Sequence, residues 1–290
     1  MNDTLQRFIF EHAAIRGELA HLDATWQAIL ERHEYPLLVR NLLGEAMVAA
    51  ILLSATLKAN GRMTIQMQGH GPLRLLVVEC SNAQELRGLA HWQDLPEHGS
   101  LQELVGDGRL IITLEPGDDQ ARYQSIVELR GATLAEALGN YLQQSEQLNT
   151  HLWLAADGKS AAGMLLQKLP SQQTQTDTDM WNRVIHLAST VKPQELLELT
   201  QLSLLHRLFH QEQVRVFEPT PICFRCSCTK DRVVNMLRSL GYAEVQSILV
   251  EQKQVSVACE FCNQKYAFDS VDVEQMFASN LSHPAPPTKQ

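Results

Sequence analysis

At 290 residues the chain is long enough to bury a sizeable core and to hold one main domain with something smaller beside it. Its composition, 44% hydrophobic and 20% charged, is that of a soluble globular protein, and a net charge of -9 argues against a general affinity for nucleic acid. The longest apolar run, Ala46 to Leu57, is too short to span a bilayer, and Met1 leads into Asp3, Arg7, Glu11 and Arg16 without the apolar stretch of a secretory signal. The expectation is a cytosolic protein with no membrane partner.

The first 170 residues read as one α+β domain. Leu5 to Phe10 suits a strand, and Ala13 to Arg32 mixes strand-like alternation with a helical stretch around Trp26 to Arg32. A long helix is predicted from Pro36 to Ala59, with Asn60-Gly61 as its C-cap. Its middle, Met47-Val-Ala-Ala-Ile-Leu-Leu, is apolar on every face, which predicts burial between two layers. Strand-length segments follow at Met63 to Gln68, Leu73 to Glu79, Glu85 to His91, Arg109 to Glu115 and Arg122 to Leu129, separated by turn residues that favour antiparallel pairing. Thr133 is placed to cap a helix through about Gln147, and two more strands fit Thr150 to Ala155 and Ala161 to Leu166.

After Pro170 the composition shifts to Ser171-Gln-Gln-Thr-Gln-Thr-Asp-Thr-Asp179, a segment that cannot build a core and reads as a linker. Beyond it, Met180 to Thr190 and Gln194 to His210 have helical periodicity, the second opened by Pro193. Leu197, Leu204, Leu205 and Leu208 put an apolar stripe on that second helix, so something must cover it. Permanent packing on the core and docking that depends on the state of the rest of the chain both satisfy that need. The tail from Ser282 to Gln290 is proline-rich and expected to be disordered.

Three motifs fail on inspection. Gly158-Lys159-Ser160 invites a phosphate-loop reading, but the residue five before Gly158 is Trp153, and the context is a strand turn. His206 and His210 stand four apart without the glutamate of a metalloprotease helix, so a solvated helix face is expected. Cys80 ends an apolar strand and reads as an inert buried thiol. No dinucleotide fingerprint is present either, so no nucleotide cofactor is implied.

The chemistry concentrates in the last fifth, where Cys226-Ser227-Cys228 and Cys259-Glu260-Phe261-Cys262 supply four thiols in two tight pairs. Tetrahedral zinc needs four soft ligands about 2.3 Å from the ion, and paired cysteines on two turns present them at little entropic cost. Cys223 keeps an alternative open, because Cys223/Cys226 with Cys259/Cys262 would make an ordinary zinc ribbon. In a reducing compartment such thiols stay free or bind metal. Between Cys223 and Phe277 there are six basic residues against seven acidic, so no basic stripe supports nucleic-acid binding. Zinc would hold the sulfurs as thiolates, and a strong oxidant could convert them to disulfides and expel the metal. Because metal binding in so small a module is folding energy, its loss should unfold the module.

These residues resemble the 33 kDa chaperonin family, the redox-regulated holdases of the bacterial cytosol. The resemblance runs through Arg7-Phe8-Ile9-Phe10-Glu11, Arg16-Gly17-Glu18, His33-Glu34-Tyr35-Pro36, Leu42-Leu43-Gly44-Glu45-Ala46 and Gln66-Met67-Gln68-Gly69-His70-Gly71-Pro72. It continues through Tyr141, Ser145-Glu146-Gln147, Gly163-Met164-Leu165-Leu166-Gln167 and Leu169-Pro170 to the two cysteine motifs. Where many members carry glycine in a Tyr-Gln-Gly-Ile-Val strand, this chain has Ser125.

What the resemblance implies is a fold of antiparallel sheets packed around a buried helix (1–170), a glutamine-rich hinge and helical linker (171–222), a small zinc-binding α+β module (223–277) and a tail (278–290). It favours Cys226, Cys228, Cys259 and Cys262 as the ligands of one zinc ion. It implies an ATP-independent chaperone and not an enzyme, inactive when reduced and zinc-bound. Oxidation would form Cys226–Cys228 and Cys259–Cys262 disulfides, release zinc, loosen the linker and expose a surface for unfolding proteins, commonly in a homodimer. A zinc-ribbon nucleic-acid binder and a thiol-disulfide oxidoreductase are the competing classes; the acidic balance speaks against the first, and zinc-locked thiols turn over poorly in the second.

Overall fold

In a computed structural model that describes residues 3–56, 61–117, 121–170 and 179–278, the chain divides into two compact units, Met1–Arg225 and Cys226–Gln290. In chain order the first unit opens with β1 (Thr4–Phe10), β2 (Ile15–Leu22), α1 (Ala24–Leu30) and α2 (Leu37–Ser54). It continues with β3 (Gly61–Gln68), β4 (Leu73–Ser81), β5 (Glu85–Trp92), α3 (Leu101–Val105), β6 (Arg109–Pro116) and β7 (Tyr123–Glu128). Then come α4 (Leu134–Tyr141) with a π-helical turn (Leu142–Glu146), β8 (Thr150–Ala156), β9 (Ala161–Lys168), α5 (Met180–Ala188), α6 (Pro193–Glu198) and α7 (Gln201–Phe209). Three short strands, β10 (Val214–Val216), β11 (Thr220–Pro221) and β12 (Cys223–Phe224), close the unit.

Two sheets form. One has the order β10-β1-β2-β9-β8, with β11 also pairing β1; the other runs β12-β5-β4-β3-β6-β7. Every pairing is antiparallel except β12 beside β5. Helix α2 lies between the sheets with Ala46 to Leu53 buried on all sides, as its unbroken apolar run requires. Gly44 permits the approach: a Cβ there would meet the Cβ atoms of Ala156 and Ala161 and the ring of Trp26. By length and composition α2 could cross a membrane, but it is the core helix of this unit.

The first sheet is covered on both faces. Ala20, Leu22 and Leu165 point inward to α2, whereas Leu19, Met164 and Leu166 point outward and are covered by α5, α6 and α7. The outward layer joins Phe8 and Phe10 to Phe209, with ring centroids 6.3 and 5.2 Å away. The stripe read from the sequence supplies the other side: Leu204, Leu205 and Leu208 are buried, and Leu197 packs partly buried against them. Gly17 makes room for Phe8, whose ring would collide with any Cβ at that position.

Several element limits differ from the sequence reading. Helix α2 ends at Ser54, where the hydroxyls of Ser54 and Thr56 donate to the carbonyls of Ile51 and Leu53, and Gly61 opens β3 and is no C-cap; Asn60 lies outside the described residues. The helix expected over Gln194 to His210 is two helices. Leu199 and Thr200 are extended, and Thr200 caps α7 by accepting from Ser203 N, so a local cap outweighs the continuous helical period. The α4 helix gives way to the π-helical turn and ends on a left-handed Gln147. Helix α3 adds an element where the sequence reading has none, and Ser100 and Glu103 start it with a capping box. Gly158-Lys159-Ser160 is the β8–β9 hairpin turn, with Asp157 Oδ1 accepting from Lys159 N and Ser160 N. Residues 171–178 and 279–290, which hold most of the hinge and the tail, lie outside the described residues.

The second unit contains α8 (Lys230–Leu240), α9 (Tyr242–Gln252), β13 (Val255–Ala258) antiparallel to β14 (Lys265–Phe268), and α10 (Ser270–Ala278). Its buried apolar cluster is Val233, Leu237, Val245, Val255, Phe268, Val273 and Met276. A core of that size rarely stabilises a domain unaided.

Candidate metal centre

Two local structures bring the sulfurs together. Cys226 and Cys228 precede α8, whose N-cap Thr229 accepts from Arg232 N, and the Arg232 guanidinium donates to Ser227 O at 2.9 Å and Ser227 Oγ at 2.8 Å. That clasp fixes the residue between the two cysteines and leaves a cation beside them. Cys259 and Cys262 occupy the β13–β14 turn, closed by Cys259 N donating to Gln264 O at 3.0 Å and Asn263 N donating to Cys259 O at 2.8 Å, with Asn263 left-handed at φ 57°. In this turn the main-chain N–H groups of Phe261 and Cys262 are directed at the Cys259 sulfur, and that of Gln264 at the Cys262 sulfur.

The four Sγ atoms all lie within 4.8 Å of one another. Cys226 and Cys259 approach to 3.6 Å, and Cys228 and Cys262 to 3.4 Å. Four sulfurs at zinc–sulfur bonds of about 2.3 Å define a tetrahedron with edges of roughly 3.8 Å, so the two closest pairs already stand near that spacing and the four together could hold a metal ion. Without a cation the cluster resists ionisation: burial raises the Cys262 and Cys259 thiols above their ordinary value, and at Cys262 the sulfurs of Cys228, Cys226 and Cys259 add to the effect. A metal reverses that balance, because its charge stabilises all four thiolates.

Tyr266, on β14, donates its hydroxyl to Cys228 Sγ at 3.2 Å. The bond to that sulfur pushes the phenol up to about 12, so it stays a donor. Sequence reasoning did not single out Tyr266. The signal available was an aromatic residue four positions past Cys262, and pairing of Val257 with Tyr266 directs it to the site.

Cys223 is exposed on β12 and is not among the convergent sulfurs. Cys80 is buried, within 3.3 Å of Ser54 Oγ, and burial pushes its thiol up to about 11. His206 is exposed on α7 and His210 is exposed at its C-cap.

Comparison with known proteins agrees across the chain. Residues 3–269 match the family model described as Hsp33 protein. The chain is 50% identical over 287 residues to the 33 kDa chaperonin of Nitrosococcus oceani, covering 99% of this chain and 98% of that one. It is 47% identical over 285 residues to the 33 kDa chaperonin of Methylobacillus flagellatus, covering 98% and 97%. The fold is similar to the crystal structure of the 33 kDa chaperonin from Thermotoga maritima, with a TM-score of 0.84 at 22% identity, covering 97% of this chain and all of that one. With a family model matched over residues 3–269 and relatives 47% and 50% identical along nearly their whole length, the chain belongs to the Hsp33 family of chaperones.

Proposed function

We propose that this protein is a redox-regulated, ATP-independent holdase of the cytosol whose switch is the cluster of Cys226, Cys228, Cys259 and Cys262. The observation that carries the reading is the convergence of these four sulfurs, from two sequence motifs, inside one 4.8 Å sphere of mutual distances. Bound zinc supplies charge that keeps the sulfurs deprotonated and adds folding energy to a unit with a small core.

Oxidation proceeds on this chain's own sulfurs. A thiolate attacks hydrogen peroxide, taking one oxygen as a sulfenic acid and releasing hydroxide; its partner thiolate then displaces that oxygen as hydroxide and closes a disulfide. Two such events give Cys226–Cys228 and Cys259–Cys262 and leave no thiolate to hold a metal. A disulfide needs about 2.05 Å between sulfurs, so closing either pair moves its loop and disturbs a unit with little else to hold it.

The linker is the second part of the reading. Helices α5 to α7 cover the outward face of the first sheet, where Phe8, Phe10, Leu19, Met164 and Leu166 would otherwise meet water. Undocking them exposes an apolar face on the sheet and another on the helices, the surfaces an unfolding client needs. The active form is read as a homodimer, which places two such surfaces in one particle.

The test is zinc content beside suppression of aggregation of an unfolding protein, without ATP, before and after peroxide at mildly elevated temperature. Joint loss of zinc and gain of suppression is expected. Retention of zinc, or suppression indifferent to oxidation, would remove the switch from the reading. Peptide mapping of the oxidised chain should find disulfides within each motif; bridges of Cys226 to Cys259 or Cys228 to Cys262 would replace the proposed pairing.

A further inference from the structure

We propose that the cavity between helices α2, α4 and α6 and strand β8 binds an alkylammonium group, carried by a small free amine or by a lysine side chain. The site stands apart from the thiol chemistry; only its effect on the linker rests on the proposed function.

The cavity has a volume of about 690 Å³, in the range of small-molecule sites, and lies wholly within the first unit. Glu45 of α2 and Glu136 of α4 line it, and no lysine or arginine does so among the described residues. His151 of β8 is the one lining residue that could add positive charge, and burial lowers its pKa, which favours the neutral ring. Asn140 Nδ2 donates to Arg130 O at 3.1 Å, which leaves the amide oxygen as the group offered to a ligand. Leu152, Leu154 and Leu196 give an alkyl chain apolar contact, and the Trp153 ring suits a neighbouring cation.

Glu45 is the observation that points to a ligand. It is the one acidic residue of the core helix α2, and it has no hydrogen bond or ion pair with any described residue. Burial alone pushes its carboxyl up to about 7. A carboxylate withdrawn from water without a partner is costly, and an ammonium group supplies both the opposite charge and the missing donors. The ammonium binds the ionised form, so affinity should rise with pH through that value. The titratable groups that face Glu45 across the cavity are Glu136 from α4 and His151 from β8, whereas α6 presents Pro193 and Leu196. Deprotonation of His151 would act in the same sense, so the role of Glu45 is isolated by substitution.

Val191, Pro193 and Leu196 form one wall, so the site is complete only while the linker helices are docked. A bound amine therefore favours the docked state.

The experiment is isothermal titration calorimetry on the full, reduced chain with 1,4-diaminobutane, with Nα-acetyl-lysine methylamide and with uncharged 1,4-butanediol. Wild type is compared with Glu45→Gln, Gln143→Glu and Glu128→Gln. Gln143 is an exposed residue of the cavity wall, and Glu128 is an exposed carboxylate outside it, paired with Arg130 at 2.6 Å. Binding of at least one amine and not of the diol is expected, tightening about tenfold from pH 6 to pH 8.5. The tighter of the two amines identifies the source of the ammonium group. Glu45→Gln should weaken binding at least tenfold and remove most of the pH dependence, Gln143→Glu should tighten it several-fold, and Glu128→Gln should leave it within twofold. Thermal unfolding checks that Glu45→Gln is folded; its midpoint should match or exceed wild type, because burial already disfavours the charge. Absence of binding by either amine, wild-type affinity in Glu45→Gln, or equal weakening by Glu128→Gln would overturn the site. Hydrogen exchange at residues 193–198 should slow in saturating amine. Binding without that slowing would keep the site and remove its link to the linker, and none of these readouts depends on peroxide or on chaperone activity.

Discussion

The Nε2 atom of His21 lies 3.1 Å from the carbonyl oxygen of Leu197, joining the end of strand β2 to the end of helix α6. A carbonyl only accepts, so the ring carries its proton on Nε2, and the buried Nδ1 is left without a partner. The bond takes the carbonyl that would have accepted from residue 201 had the helix continued. Next to it, Gln201 Nε2 donates to Thr4 O at 2.9 Å and Leu19 O at 3.1 Å, while its Oε1 accepts from Thr4 Oγ1 at 3.2 Å. These polar contacts orient the linker helices on an otherwise apolar face.

Gln201→Ala should therefore loosen the linker without disturbing the core. Each lost hydrogen bond is worth about 1 kcal/mol, or roughly fivefold in an opening equilibrium. Hydrogen exchange across residues 201–209 is expected to accelerate, and exchange in α2 to stay unchanged. Equal exchange in the linker would show that the apolar contacts alone hold it.

Leu208→Asp is expected to undock the linker outright. Leu208 is 4% exposed within the cluster that includes Phe209 and Met164, and a buried unpaired carboxylate there costs several kcal/mol. Suppression of client aggregation should then appear in the reduced, zinc-bound chain. A variant that stays inactive while its linker exchanges freely would separate linker release from client binding.

Cys226→Ser should lower zinc content and loosen the second unit under reducing conditions, since it removes one of four convergent ligands. Cys223→Ser should leave zinc unchanged, because Cys223 sits on β12 beside Glu85 and outside the sulfur cluster. Metal analysis of the two purified variants decides between this assignment and a ribbon built from Cys223.

Glu18 predicts a pH dependence. Its side chain is 2% exposed on β2, with Oε2 unpartnered, and burial pushes its carboxyl up to about 8 against the attraction of Arg16 and Arg7. In the unfolded chain it ionises near 4.5, so between that value and about 8 the folded state binds the extra proton. Its contribution to stability is complete below about 4.5 and falls as pH rises through that window, by at most about 1.4 kcal/mol per unit. Denaturant titrations from pH 5.5 to 8 should show the slope, and Glu18→Gln should flatten it.

Much of this was legible in the sequence because it depends on near neighbours along the chain. The all-apolar run of α2 required burial on every face, and strand periods and turn residues marked both sheets. The continuous apolar pattern of β9, Ala161-Ala-Gly-Met-Leu-Leu166, already required cover on each side. The two cysteine motifs carried their ligand chemistry in their spacing.

Only tertiary structure decided the rest, because those outcomes turn on contacts between distant residues. The convergence of Cys226 and Cys228 on Cys259 and Cys262 depends on where the segment before α8 and the β13–β14 turn come together within the second unit. The break at Leu199–Thr200 is marked locally by the Thr200 cap, but its place on the sheet answers to Leu197 and Gln201 meeting His21, Thr4 and Leu19 some 180 residues earlier, and the proton on Glu18 to burial that no local pattern encodes. Tyr266 reaches Cys228 because hairpin register, a long-range property, points one hydroxyl at one sulfur.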